Sequence, residues 1–152
     1  MIEIAIDGPA ASGKGALGKK LSDKYNFPYL DTGILYRKVA YELIKNNIKN
    51  SENLEILCCN FAKNLNLKEF KNKNLRTEDV AKLASKIAIL PNLRKILNNK
   101  QKEFSNFNKK QFGGCILDGR DIGTTILPNA DFKFFITASI EVRAKRRLLQ
   151  KN

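Results

Sequence analysis

Near the start of the chain, Gly8-Pro9-Ala10-Ala11-Ser12-Gly13-Lys14 matches the spacing Gly-x-x-x-x-Gly-Lys. Glycines at both ends let the backbone curl closely, aiming amide N–H groups at phosphate oxygens from the start of the following helix. Lys14 can then reach the terminal phosphates and follow their charge during transfer. Gly15 and Ala16 complete the segment predicted to cradle a nucleotide. An ordinary glycine turn is the competing reading, and a strand before with a helix after argues against it.

Two further segments carry groups suited to a second anion. Asp31-Thr32-Gly33 follows a short apolar run, and Tyr36-Arg37 lies one helical turn further on. Thr32 and Arg37 can hold a phosphate facing the first; a helix cap with a surface arginine is the plain alternative. Asp118-Gly119-Arg120-Asp121 occupies the matching place after a later apolar run. Arginine there neutralises phosphate charge, and aspartate can hold a water of Mg²⁺ or accept from a base. Taken alone, Asp-Gly marks only a turn. Ser85 and Arg94 flank the helix break at Pro91. With Asp121 they form a set able to read a cytosine edge, Asp121 accepting from the amino group while Arg94 and Ser85 donate to ring acceptors. Ser85 reads equally well as a neutral helix residue.

These groups need a scaffold that brings strand ends together. Ile2-Glu3-Ile4-Ala5-Ile6 alternates as a strand does, and a helix follows the glycine loop with Leu17, Leu21 and Tyr25 on one face. Phe27-Pro28-Tyr29-Leu30 fits a second strand, and beyond Gly33 a helix turns Tyr36, Val39, Ala40 and Leu43 inward. That βαβα start favours a parallel sheet flanked by helices. The middle is helical: Leu54, Leu57, Phe61 and Leu65 share one face, as do Val80, Leu83, Ala84 and Ile87. Thr77 is the predicted N-cap of the latter helix, and Pro91 opens the next, running towards Phe104. Residues 114–118 and 132–136 are apolar runs of the buried-strand kind. Ser139 caps a last helix from Ile140 to the end of the chain.

Composition narrows the chemistry. The 152 residues suit one ordinary domain. The chain contains no His, which excludes histidine bases and His-ligated zinc. Three cysteines, Cys58, Cys59 and Cys115, are odd in number and lack metal-ligand spacing, so they read as small buried residues in a reducing compartment. The net charge of +13 comes largely from scattered Lys and reads as a solvated basic surface. The nine Phe fall mostly in core patterns, which argues against stacking on nucleic acid. No apolar run is long enough to span a bilayer, and no leader precedes the first strand, so a cytoplasmic monomer is expected, with neither nucleic acid nor membrane as partner.

With these residues in view, the sequence resembles the bacterial cytidylate kinases. The likeness runs through residues 4–15, 30–37 (Leu-Asp-Thr-Gly-Ile-Leu-Tyr-Arg), Arg76-Thr77 to Ser85, Pro91-Asn92-Leu93-Arg94, 117–124 (Leu-Asp-Gly-Arg-Asp-Ile-Gly-Thr) and Thr137-Ala138-Ser139 with Arg143, Arg146 and Arg147. It implies a P-loop NTPase-like, three-layer α/β/α fold with a parallel sheet and a helical substrate-binding insert. One domain over 1–152 is expected, with 1–44 and 108–152 as the core and 45–107 binding the acceptor. The resemblance implies transfer of the γ-phosphoryl of ATP, with Mg²⁺, to CMP or dCMP; no residue is singled out as a direct metal ligand. Lys14, Arg120 and Asp121 take the catalytic places. Thr32, Tyr36, Arg37 and Arg120 hold the acceptor, and Ser85, Arg94 and Asp121 read its base.

Two departures qualify that expectation. Gly-Lys-Gly is the nucleoside monophosphate kinase form, normally continued by Thr or Ser, but Ala16 stands there. The family's Arg-rich helix leads into a mobile lid and a final strand, and this sequence stops where the lid is expected. A fragment or reduced form is therefore expected, with slowed or absent transfer, an exposed sheet edge and exposed apolar surface. A nucleotide-binding module without transfer is the alternative.

Overall fold

The computed structural model describes residues 1–48, 52–67 and 72–149. It contains two compact units, Met1–Asp31 with Gln101–Asn152, and Thr32–Lys100.

The first unit is built on a four-stranded parallel sheet. Its strands are β1 (Ile2–Asp7), β2 (Tyr29–Asp31), β3 (Gly114–Gly119) and β4 (Phe132–Phe135), in the order β2-β3-β1-β4. β-branched residues at Ile2, Ile4 and Ile6 suit the extended backbone, and the register pairs Ile4 with Ile116 and with Phe132. Side chains in register share a face. Ile4, Ile6 and Ile116 form one buried cluster, against which Leu17 and Leu21 of helix α1 (Lys14–Tyr25), Phe27, Tyr29 and Ile136 pack. On the opposite face Ala5, Leu30 and Leu117 are also fully or almost fully buried. The central strands are thus covered on both faces, as parallel strands require. The fold is α/β with a parallel sheet, of the P-loop NTPase-like kinase kind that the sequence predicts. At the start of the sheet, Glu3 accepts hydrogen bonds from Ser105 and Lys109, and the Ser105 hydroxyl also meets Cys115.

The second unit is helical. It holds α2 (Gly33–Lys45), α3 (Leu54–Lys63), a short 3₁₀ turn (Lys73–Arg76), α4 (Glu78–Ile87) and the start of α5 (Pro91–Phe112). Leu35, Val39, Ala40 and Leu43 of α2 are buried, as are Val80, Ala84 and Ile87 of α4, and the two helices pack together. The 3.6-residue spacing of these apolar positions is what makes each an amphipathic helix. Among the described residues, no strand falls within 32–113.

Several local expectations are corrected. Tyr25 is not inward: it ends α1, is 49% exposed, and stacks on Phe27 where Asn26 turns into the left-handed region. Helix α5 runs eight residues past Phe104, because nothing between Pro91 and Gly113 breaks it. Thr77 occupies the N-cap of α4, yet its hydroxyl donates back to the Asn74 carbonyl instead of capping. β4 is a strand but not a buried one. Among the described residues it is an edge paired only with β1, and all four of its residues, Phe132, Phe134 and Phe135 included, are exposed. Phe107 and Phe112 are exposed too, so most of the described phenylalanines lie outside the core. Cys58 and Cys115 are buried as expected, with burial pushing the Cys58 thiol up to about 11; Cys59 is half-buried. Ser139 receives the Val142 amide at the start of α6 (Ile140–Leu149), and the expected continuation of that helix lies outside the described residues.

Candidate functional site

The loop between β1 and α1 has the shape its glycines imply. Gly8 and Gly13 sit at φ +146° and +111°, where other residues are strained. A Cβ on Gly8 would come 2.0 Å from the Ile136 carbonyl oxygen, so only glycine fits there. Ala11 also takes a left-handed conformation, φ +58°, which costs a non-glycine residue about 1 kcal/mol. The ammonium of Lys14 folds back over the loop and donates to the Pro9 carbonyl at 3.0 Å. From α6, Arg146 Nη1 donates to the carbonyls of Ser12 at 2.9 Å and Ala11 at 3.3 Å. The Ser12 hydroxyl is buried and has no hydrogen-bond partner.

Parallel strands deliver their carboxyl ends to one side, and here those ends carry acids. Asp31 of β2 stands in register with Asp118 of β3, and Asp7 ends β1 beside them. Asp118 is 4% exposed, and burial pushes its carboxyl up to about 6; Asp31 adds to the rise, while a hydrogen bond from the Tyr29 hydroxyl at 2.8 Å opposes it. The Tyr29 ring crosses the first turns of α1, where a Cβ on Gly18 would meet it at 2.5 Å. Asp7 accepts from the Ile122 and Gly123 amides at 2.8 Å each, anchoring the π-turn Ile122–Ile126 that follows Asp121. Burial lowers the pKa of Lys14, Asp118 raises it, and nearby Arg120 lowers it. Lys14 and exposed Arg120 are thus two cations held within electrostatic reach, an arrangement that an anion relieves. The Asp121 carbonyl receives the Thr125 and Ile126 amides, so its backbone nucleates the turn.

In the helical unit the predicted acceptor residues are spread over three helices. Thr32 is buried at the N-cap of α2, and Tyr36 is half-buried one turn on. Arg37 Nη1 donates to the Leu75 carbonyl at 3.1 Å. Ser85 lies exposed on α4 with its hydroxyl on the Ala81 carbonyl at 3.0 Å, and Arg94 Nη1 reaches the Ala88 carbonyl at 3.3 Å. Arg94 thereby spans the Ala88–Pro91 break, while the Ser85 bond is the ordinary one of a helical serine.

Comparison with known proteins decides the family. The cytidylate kinase family model matches residues 4–152. The chain belongs to the cytidylate kinase family. A cytidylate kinase of Bartonella tribocorum is 45% identical over 144 residues, covering 95% of this chain and 64% of that protein. One of Methylocella silvestris is 45% identical over 147 residues, covering 97% and 65%. One of Acidiphilium cryptum is 43% identical over 150 residues, covering 99% and 68%. The chain therefore spans about two thirds of the length of the curated relatives it matches.

Within this family member, the structure gathers Lys14, Gly15, Arg120 and Asp121 with the loop in one unit and Thr32, Tyr36, Arg37, Ser85 and Arg94 in the other. Sequence reasoning missed Asp7, Tyr29 and the contact of Arg146. Asp7 had a readable signal, an acid ending a strand directly before a glycine loop. Tyr29 had none, because its partner Asp118 lies 89 residues away.

Proposed function

We propose that the chain carries out the chemistry of a cytidylate kinase, moving the γ-phosphoryl of ATP to CMP or dCMP to give CDP or dCDP. The observation that carries this reading is Lys14 folded over the glycine loop at the strand ends, with Arg120 close enough to depress its pKa. Phosphoryl transfer needs little covalent chemistry from the protein: the two anions must be brought in line, screened from one another and kept from water. Loop amides and Lys14 serve the ATP phosphates. Arg37 and Arg120 clamp the acceptor phosphate with Thr32 and Tyr36, while Ser85, Arg94 and Asp121 read cytosine. Residues 45–107 form the acceptor-binding region.

The donor set fits Mg²⁺ that arrives on the nucleotide. Among the described residues no three acidic or cysteine side chains gather as a metal cage. Asp118, buried beside Lys14, and Asp121 suit the waters of a cation already bound to phosphate, a hard ion that keeps much of its hydration. When bound, such a cation would supply positive charge against that developing on the phosphates, with Asp118 and Asp121 holding its waters.

A second reading, nucleotide binding without transfer, is favoured by one observation. Ala16 is exposed at the first turn of α1 and offers no hydroxyl where the family has one. Coupled ADP release with Mg²⁺-ATP and CMP, dCMP, UMP or AMP separates the two. Turnover confined to CMP and dCMP is the expected result; bound ATP with no product from any acceptor would favour the second reading.

A further inference from the structure

We infer that Arg146 is a positioning residue that presets the phosphate loop, holding its carbonyls outward so that its amides face the nucleotide. This rests on the phosphate-loop reading above. In a trans peptide the C=O and the following N–H point in opposite directions. Arg146 Nη1 holds the carbonyls of Ala11 and Ser12, at 3.3 and 2.9 Å. The amides of Ser12 and Gly13 are thereby turned away from the guanidinium, to the other side of the loop.

A second observation makes the clamp useful. Ala11 sits at φ +58° and Gly13 at +111°, so the loop holds conformations that a free chain leaves readily. A charge-assisted bond on the carbonyl of Ala11 itself, and another one residue on, opposes that relaxation. The same guanidinium lies 3.6 Å from where a Cβ on Gly13 would stand, so its approach extends from Ala11 to Gly13. A cation on the carbonyl side also polarises each peptide unit, strengthening its N–H as a donor to phosphate. Arg146 thus acts on the nucleotide through the backbone, without needing to touch it.

The test is equilibrium binding of ADP and of inorganic tripolyphosphate to the wild-type chain, R146Q, R146K and K14M, at low and at high salt. R146Q should weaken both ligands by about tenfold at either salt concentration, with its melting temperature close to wild type. R146K, which keeps the positive charge but not the planar guanidinium fork, should fall between R146Q and wild type. A loss that vanishes at high salt would show a diffuse charge effect and overturn the positioning role. Unchanged affinity in R146Q, with binding lost in K14M, would overturn the clamp while leaving the phosphate loop standing. If the wild-type chain binds neither ligand, the phosphate-loop reading fails and this inference with it.

Discussion

The strand-end cluster and the helical unit differ in what fixes their side chains. At the strand ends, position comes from backbone. The sheet register sets Asp31 beside Asp118, the curl of the loop sets Lys14, and Asp7 and Arg146 tie down neighbouring main chain. In the helical unit, Arg37, Ser85 and Arg94 each donate to a carbonyl of their own unit. One region has its charged groups set in advance by sheet register and loop backbone; the other holds its polar side chains by bonds to helix and turn carbonyls.

That contrast can be broken most severely at Lys14. K14M should lower transfer by about 10³-fold, as for other lost transition-state donors, while the fold survives. Single-turnover rates beside a thermal melt check it, and unchanged turnover would remove Lys14 from the chemistry. A smaller and more selective effect belongs to the helical unit. R94L should weaken CMP by about 10- to 100-fold, with ATP affinity nearly unchanged, in separate titrations of the two nucleotides. A change confined to ATP would place Arg94 outside the acceptor pocket.

The smallest effect sharpens the comparison, because advance arrangement strains the fold. The Asp118 carboxyl is raised by burial from an ordinary 3.8 to about 6. The native state therefore holds more protons than the unfolded chain between those values, and stability falls as pH rises through that window. Above it the buried charge costs on the order of 3 kcal/mol. D118N should melt several degrees above wild type at pH 8, with the gap closing as pH drops to about 4. Melts across pH in the presence of chelator measure this; a pH-independent gap would assign the effect to packing instead of ionisation.

The legible parts of this molecule are those whose signals are local. Alternating Ile2 to Ile6, the glycine loop and the apolar stripe of α4 each announce an element within a dozen residues. The run at 132–136 announced a strand but not its neighbours. Apolarity alone does not distinguish a central strand from an edge, and β4 proved to be an edge with its Phe residues exposed. The residue types of the proposed site follow from what phosphate and cytosine would require, Lys, Arg and Asp, and the fold distributes them over two units. Its supports were not legible: the reach of Tyr29 to Asp118 and of Arg146 to the loop depends on long-range pairing that no local pattern encodes.

The close fit of Tyr29 against Gly18 also limits how the sequence can drift. The surface carries a heavy bias toward Lys and Asn, most of whose described positions are exposed. Residue 18 has no such liberty, because any side chain there meets the ring of residue 29. The two positions are sterically coupled. A lineage can enlarge residue 18 only after the ring at 29 has shrunk or moved, and that first step takes the hydroxyl away from Asp118.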